Sequence, residues 1–291
     1  MAAPNHVENP LEYAFEKVAW GFRDFGRYVV PRPERHAGKA IPDVRRITLA
    51  DLREALRKGA EDVGAFRDDV LFIGVIYPIA GLLLAAFAFN YNMLMMLFPL
   101  VSGFALLGPV AATGLYEMSR RREQGREVGW MDAFGAFASP AIGSIVAFGL
   151  VLLAIFGVWL VLAYQIGVAA LGADTPPTLG MFLQEVFRSP ASPALIVGGV
   201  GAGFVFAALT FAIGVLTAPM LLDRDVGLRI AIATSVKAVM TNPGPMAVWA
   251  AIIAGVLALG SIPALVGLIV VVPLLGHASW HLYRRLVPDD A

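Results

Sequence analysis

Long stretches without a charged residue dominate the pattern of this chain. No Asp, Glu, Lys or Arg occurs in residues 70–116, 133–173, 189–222 or 238–283. A helix needs about 20 mainly apolar residues to cross a hydrocarbon core of about 30 Å. Each block is therefore long enough for a span, and the first and last are long enough for two. The pattern predicts six membrane spans, at about residues 70–89, 93–116, 141–171, 194–222, 243–260 and 264–283.

Short polar or Pro-containing segments separate the paired spans. Asn90-Tyr91-Asn92 divides the first block, and Gly260 to Pro263 divides the last one, because Pro lacks the amide donor and disfavours helix in the residue before it. Asn242 before Pro243 predicts an N-cap followed by a first-turn proline. The expected fold class is an all-α membrane protein, a six-transmembrane-helix bundle with cytoplasmic amphipathic helices.

Positive charge lies almost entirely on one side of this arrangement. Alternate segments between the spans hold 21 Lys and Arg residues on one side and one on the other. The split is 13 to one when the first 49 residues, which are remote from the spans, are set aside. Positive charge favours the cytoplasmic side, so both termini are expected in the cytoplasm of a multi-pass inner-membrane protein. Residues 1–46 are expected to form a cytoplasmic amphipathic segment and linker, and residues 47–291 the six-helix membrane domain.

Composition removes several functional classes. The chain has 291 residues, of which 58% are hydrophobic and 15% charged, and it has no Cys. Soluble domains carry roughly 25% charged residues, so an ordinary soluble protein and a nucleic-acid binder are excluded. The lack of Cys excludes disulfides, thiolate metal sites and a Cys nucleophile. The spans also contain no Asp, Glu, Lys or Arg, residues that ion-coupled transporters use at membrane depth.

Amphipathic helices are predicted outside the spans, over residues 10–29, 49–69, 179–187 and 225–241. In the second of these, Thr48 and Asp51 form a capping box. Its apolar stripe includes Leu52 and Leu56, and its opposite face is expected to carry six charged residues: Arg53, Glu54, Arg57, Lys58, Glu61 and Asp62. Two interpretations remain open for this helix, packing on the cytoplasmic ends of the bundle or docking of a partner.

Two histidines are the main candidates for binding chemistry. His277 and His281 are four residues apart and share one face of the sixth helix, and imidazoles at this spacing bind metal ions or haem in other proteins. A metal site normally needs further ligands, however, and the predicted spans supply no carboxylate. An interfacial patch that anchors the helix, or a contact with a lipid headgroup or a neighbouring loop, is the alternative, and no metal or cofactor is assigned.

Two further groups are candidate sites. Asp223, Arg224 and Asp225 form an interfacial polar cluster at the inner end of the fourth span, either a self-contained salt cluster or a contact for a partner or lipid. Gly199 and Gly203 are small residues four apart, a spacing that permits close helix packing. They are expected to serve packing within the bundle or self-association.

Several separated motifs carry a family resemblance: the runs ITLADL at 47–52, GPVAATGLYEMSRRRE at 108–123, PMLLDRDV at 219–226, NPGPM at 242–246 and LGHASWH at 275–281, together with TSV at 234–236. They resemble a bacterial family of predicted integral membrane proteins known as domain of unknown function 2189. The resemblance spans about residues 45–285. It implies a six-helix membrane protein and no particular activity.

The sequence contains no recognisable catalytic set, so the chain is expected not to be an enzyme. The leading hypothesis is a non-enzymatic accessory, scaffold or assembly component of a membrane complex. One alternative is a carrier or channel for a neutral or lipidic solute, and another is a haem- or metal-binding protein that uses His277 and His281. The expected partners are the lipid bilayer and either another membrane protein complex or a second copy, with no nucleic acid.

Overall fold

Every regular element that the structure describes is a helix. The computed structural model describes residues 41–65, 67–90, 93–172 and 178–288, and its elements are all α-helices or short 3₁₀ helices. The expected all-α class is confirmed for these ranges. The amphipathic helix expected over residues 10–29 lies outside the described residues.

The described ranges contain twelve α-helices, numbered here in chain order. They are α1 (Leu49–Ala65), α2 (Arg67–Asn90), α3 (Leu97–Phe104), α4 (Gly108–Ala111), α5 (Thr113–Glu123), α6 (Ile142–Leu171), α7 (Leu179–Arg188), α8 (Ser192–Gly214), α9 (Thr217–Asp223), α10 (Leu228–Thr241), α11 (Pro243–Ser261) and α12 (Leu268–Leu286). Short 3₁₀ helices cover Leu94–Met96, Ala105–Leu107 and Trp130–Ala138.

Several of these helices have the length and composition of membrane spans. Four helical stretches qualify among the described residues: Leu94–Glu123, Ile142–Leu171, Ser192–Asp223 and Pro243–Ser261. Gly74–Phe89 is a shorter apolar helix. The chain is therefore a multi-pass membrane protein. The expected count of six spans is not confirmed, because α12 joins an apolar first half to a polar second half with two His and two Arg residues.

The helices α1 and α2 run antiparallel to α12 along most of its length. The Arg45 amide donates to the carbonyl of Leu286 over 2.9 Å. Farther along, Gly59 lies so close to Ala278 that a Cβ there would be 2.7 Å from the Ala278 backbone nitrogen. One half of the capping box expected for α1 is present, because the Asp51 carboxylate accepts from the Thr48 amide over 2.9 Å. The Thr48 hydroxyl donates to the same carboxylate and does not accept from the Asp51 amide. Thus α1 packs against the bundle through its helix partner α12.

Glycines allow α2 to approach the other half of α12. A Cβ at Gly74 would collide with the Ile269 carbonyl oxygen, and one at Gly81 would be 2.5 Å from Leu265 Cδ1. The missing side chains let the two backbones pack closely, as is common between membrane helices.

Asn242 has a different role from the predicted one. Its side chain makes no capping hydrogen bond to α11. Instead, Oδ1 accepts from the Ile47 amide over 2.8 Å and Nδ2 donates to the Arg45 carbonyl over 3.1 Å. Asn242 thus occupies the predicted N-cap position, with Pro243 in the first turn of α11. Its side chain does not cap the helix, because the segment before α1 competes for it and leaves Asn242 buried.

A serine repairs the helix break between α8 and α9. Pro219 lies in the first turn of α9 and lacks an amide hydrogen, so it cannot continue the hydrogen-bond pattern of α8 into α9. The Ser235 hydroxyl, on α10, donates to the Ala212 carbonyl over 2.8 Å and accepts from the Leu216 amide over 3.2 Å. It thus stands where a direct hydrogen bond between these two backbone groups would occur. Neighbouring helices commonly satisfy broken membrane helices in this way.

The turn between α11 and α12 contains two strained residues. Ala264 and Leu265 have φ values of 48° and 68°, a left-handed conformation that costs an L-residue roughly 1–2 kcal/mol. Leu265 is buried against α2, whereas Ala264 is exposed. The strain at Ala264 therefore has no compensating side-chain contact and is removable by substitution.

Replacing Ala264 with Gly should raise the free energy of unfolding by about 1 kcal/mol, since Gly adopts positive φ without strain. Thermal unfolding of the detergent-solubilised protein would measure the change. The matched control is Ala254→Gly on the exposed face of α11, which should lose about 1 kcal/mol because that residue is helical. Equal destabilisation by both variants would contradict the assignment of strain to Ala264.

Candidate functional site at the polar end of the bundle

A buried carboxylate, Asp62, lies at the centre of the most concentrated polar cluster. Asp62 is only 4% exposed and lies on the face of α1 that packs against the bundle, with Leu52, Ala55 and Gly59. The sequence prediction placed it on the exposed face, and this was wrong. The steps of three and four from Leu52 through Ala55 and Gly59 to Asp62 trace one helix face, and small residues along it allow α12 to approach.

Four side chains from other helices surround this carboxylate, and together with Asp62 they are called the Asp62 network: Ser119, Arg122, His277 and His281. Ser119 Oγ donates to Oδ2 of Asp62 over 2.5 Å, and His281 Nε2 lies 2.9 Å from the same oxygen. Arg122 forms an ion pair with Oδ1. His277 Nδ1 is 2.8 Å from Ser119 Oγ. The Asp62 network thereby joins α1, α5 and α12.

The charge state of Asp62 follows from these contacts. Burial opposes ionisation, but hydrogen bonds from His281 and Ser119 and the nearby imidazoles outweigh it and hold the pKa of Asp62 below its ordinary value of 3.8. The carboxylate is thus ionised at neutral pH. A carboxylate only accepts hydrogen bonds, so the Ser119 hydroxyl proton points to Asp62. The Nδ1 nitrogen of His277 must then be the donor to Ser119 Oγ, an assignment of the tautomer from the network.

This geometry assigns contacts within the chain to both candidate histidines. His277 is fully buried and bonds to Ser119, while His281 bonds to Asp62. Within the described ranges, no group of three or more His, Asp or Glu side chains is arranged to hold a metal ion. The metal and haem hypotheses therefore gain no support from the arrangement of these residues.

A second buried carboxylate, Glu117, lies two residues before Ser119 on α5. Its side chain is 2% exposed and pairs with Arg120 Nε at 2.8 Å and Arg121 Nε at 2.6 Å. Arg121 also pairs with Asp132, whose carboxylate accepts from the Gly129 amide over 2.9 Å. These contacts fasten the 3₁₀ helix Trp130–Ala138 to α5.

The polar cluster that the sequence singled out at the end of α9 contacts the end of α12. Tyr283 donates its hydroxyl proton to Asp223 Oδ2 over 2.7 Å, and Arg284 lies 3.3 Å from the same oxygen. Arg224 donates to the carbonyls of Val287 and Pro288 over 2.9 and 2.6 Å. Asp225 is exposed beside them. Asp223 and Arg224 thus join α9 to the C-terminal end of α12.

The glycine pair on α8 has two different environments. A Cβ at Gly203 would lie 3.3 Å from the ring of Trp159 on α6, so this glycine contributes to packing within the chain. A Cβ at Gly199 would meet nothing within 4 Å. The prediction of self-association through this face stays a prediction.

Sequence reasoning missed the two buried carboxylates and Ser119. The spacing on α1 contained a signal for Asp62, as described above. Glu117 followed by arginines three and four residues later has the spacing of intrahelical ion pairs, which was a usable signal for Glu117. Ser119 gave none, because its importance depends on a contact with a residue 57 positions away.

Comparison with known proteins supports the family suggested by the motifs. A family model described as "Predicted integral membrane protein (DUF2189)" matches residues 97–223, which is less than half of the chain. The matched region contains the motif at 108–123 and the beginning of the one at 219–226, whereas the motifs near 47, 242 and 275 lie outside it. No curated protein and no solved structure matches the chain significantly. Over residues 97–223, the chain is thus similar to the DUF2189 family of predicted integral membrane proteins.

Proposed function

We propose that this protein is a non-enzymatic component of the bacterial inner membrane that acts as an accessory, scaffold or assembly factor for a membrane complex. The observation that carries the proposal is the way α1 is fixed to the bundle. The Asp62 network holds the inward face of α1, while its outward face carries exposed charged side chains. A rigidly positioned charged helix is suited to recognition of another protein.

The proposal of a non-enzymatic role rests on the direction of the hydrogen bonds in the Asp62 network. Serine catalysis needs a base that accepts the serine proton. Here that proton points to Asp62, whose lowered pKa makes it a weak base, and His277 donates to the serine oxygen. Ser119 is also only 1% exposed. Although Ser, His and Asp side chains lie together, their arrangement favours structural cohesion over nucleophilic attack.

The outward face of α1 supports a docking role. Arg57 Nη2 lies 2.6 Å from Glu54 Oε1, and Arg57 also pairs with Glu61. Arg53 is exposed next to them. These pairs limit the conformations of long side chains before any partner arrives, which lowers the ordering cost of association. The partner chemistry that fits is a protein surface with alternating acidic and basic side chains.

The same face is proposed to lie in the cytoplasm. The arginines of α5 and the C-terminal end of α12, which carries two more arginines, lie at the same end of the molecule as α1. Lys and Arg concentrate on the cytoplasmic side of inner-membrane proteins. A partner at α1 would then be either a cytoplasmic protein or the cytoplasmic part of another membrane protein.

The double substitution Arg53→Glu and Arg57→Glu should abolish co-purification of a specific partner from native membranes in mild detergent. Quantitative mass spectrometry of the purified complex measures the loss. The charge-matched control is Arg126→Glu with Arg229→Glu, two exposed positions outside α1, which should retain the partner. Recovery of only background proteins with the native chain would overturn the proposal, and so would equal loss from both double variants.

A carrier for a neutral or lipidic solute has less support. One concave site among the described residues is lined by Met181, Gln184, Glu185, Arg188 and Ser189. It lies on and just after α7, a helix with no buried residue, and not between the long apolar helices where a translocation path is expected. The accessory role therefore remains the proposal that the geometry favours.

A further inference from the structure

The hairpin formed by α11 and α12 ends well short of its neighbours. Gly81 on α2 lies against Leu265 in the hairpin turn. The helix α2 continues nine residues beyond Gly81, to Asn90. At 1.5 Å per residue, this continuation is about 13 Å long. The turn between α11 and α12 therefore lies about 13 Å from the end of α2, measured along the axis of α2.

Other helices end at the same level as α2. The Met93 amide donates to the Ala88 carbonyl over 2.7 Å, which places the start of the next helical stretch beside the end of α2. A Cβ at Gly167 would touch Met95, so the end of α6 reaches this level as well. The far boundary of the bundle is thus defined by α2, α6 and the stretch that begins at Leu94, and the α11–α12 turn does not reach it.

The end of the hairpin opposite its turn, formed by the start of α11 and the end of α12, lies at the end of the bundle that carries the Asp62 network. Asn242, just before α11, bonds to the backbone of Arg45 and Ile47, and Leu286 at the end of α12 bonds to Arg45. His277 in α12 already belongs to the Asp62 network. The apolar part of α12 before it, residues 268–276, is about 13 Å long at 1.5 Å per residue. Such a length is about half of a hydrocarbon core of roughly 30 Å.

The chemistry of the turn fits hydrocarbon and not water. Ile262 is 77% exposed and Val266 57% exposed. The one hydroxyl nearby, on Ser261, donates to the Leu257 carbonyl over 2.8 Å. The amides of Ala264 and Val266 donate within the turn, and those of Ile262 and Leu265 donate to the last residues of α11. Backbone groups at membrane depth must be satisfied within the protein in this way.

We infer that α11 and α12 form a re-entrant hairpin, with its apolar tip, Ile262–Val266, in the interior of the bilayer against lipid acyl chains. The hairpin enters and leaves on the side of the Asp62 network. The full crossings are then α2, Leu94–Glu123, Ile142–Leu171 and Ser192–Asp223. Pro243–Ser261 has the length of a span, but its first half packs at the polar end. Both this topology and the six-span topology place the termini on one side, so the tip itself must be probed.

Single cysteines provide the test, because the natural chain has no Cys. The full-length variant Ile262→Cys would be treated with a membrane-impermeant maleimide in intact cells and in inverted vesicles. Gln184→Cys on α7 and Gln124→Cys after α5 are exposed controls at opposite ends of the bundle. We expect the two controls to be labelled from opposite sides. The Ile262→Cys variant should remain unlabelled from either side until detergent is added.

A second measurement gives the depth of the tip. A nitrobenzoxadiazole fluorophore attached to the thiol of the Ile262→Cys variant in reconstituted vesicles should be quenched more strongly by lipids with a nitroxide in the middle of the acyl chain than by lipids with one at the headgroup. Val266→Cys repeats both measurements if Ile262→Cys does not fold. Labelling of either tip variant from the same side and at the same rate as the Gln184→Cys control would overturn the re-entrant hairpin. Labelling of a tip variant from the side that labels the Gln124→Cys control would overturn it as well.

Discussion

Asparagine in place of Asp62 is expected to lower the free energy of unfolding by about 3 kcal/mol, because it leaves buried hydrogen-bonding groups of the network without their ionised acceptor. The substitution preserves the size of the side chain but removes the negative charge that balances Arg122. It also places an amide donor among the donors Ser119 and His281, so at least one hydrogen bond to Asp62 is lost. The network holds α1 to α5 and α12, and the loss should therefore loosen this end of the molecule first.

Thermal or denaturant-induced unfolding of the purified protein in mild detergent would measure this loss of stability. Glu61→Gln is the matched control, since Glu61 is the preceding carboxylate on the same helix and is half exposed with an ion pair to Arg57. Exposed pairs of this kind contribute about 0–1 kcal/mol. Equal stability of the Asp62→Asn variant and the native chain would show that the network contributes nothing to cohesion.

The same interaction predicts the response of the native protein to acid. Folding lowers the pKa of Asp62 below 3.8, so its contribution to stability is present in full above that pH. It is lost as the pH falls through the lower pKa of the folded state. The Asp62→Asn variant lacks this contribution and should show a weaker loss of stability below about pH 4.

Alanine at Gly59 is expected to destabilise the protein by about 2 kcal/mol, within the usual cost of overpacking. The new Cβ would lie 2.7–2.8 Å from backbone and Cβ atoms of Ala278, and a backbone cannot move aside as a flexible side chain does. Separation of α1 from α12 would also lengthen the contacts between Asp62 and His281. Helix propensity acts in the opposite direction and offsets part of this cost.

Gly64 provides the matched control for Gly59. It lies on the exposed face of the same helix, and a Cβ there would meet nothing within 4 Å. Gly64→Ala should therefore raise stability by about 0.5–1 kcal/mol. Opposite signs for the two substitutions in thermal unfolding would identify close packing as the cause. A stabilising effect of both would show that α1 is not held tightly against α12.

The sequence predicted the apolar helices well because charge and hydropathy act locally. The absence of ionisable residues from 142–171 and from 192–222 was enough to locate two long helices within a few residues. The depth that each helix reaches was not predictable in this way. It depends on which residues lie side by side, such as Gly81 and Leu265, and such pairing leaves no mark on the hydropathy of either segment.

The candidate site shows the same division between local and distant information. His277 and His281 were recognised from their spacing on one helix. Their partner Asp62 was assigned to the wrong face of α1, because the apolar stripe through Leu52 and Leu56 gave no weight to the small residues Ala55 and Gly59. A face of small residues is buried when another helix approaches closely, and hydrophobicity alone does not reveal it.

The contact between Asp62 and His281 joins residues 219 positions apart, and this separation orders the events of biosynthesis. Helix α1 leaves the ribosome early, but its binding partner α12 is among the last described segments to be made. Until then, the Asp62 carboxylate can contact Ser119 and Arg122 of α5 but not the histidines of α12, and Gly59 has no helix to pack against. The end of the molecule that carries the network closes only after α12 has been made, so chains that stop before α12 would expose this face to proteases and chaperones.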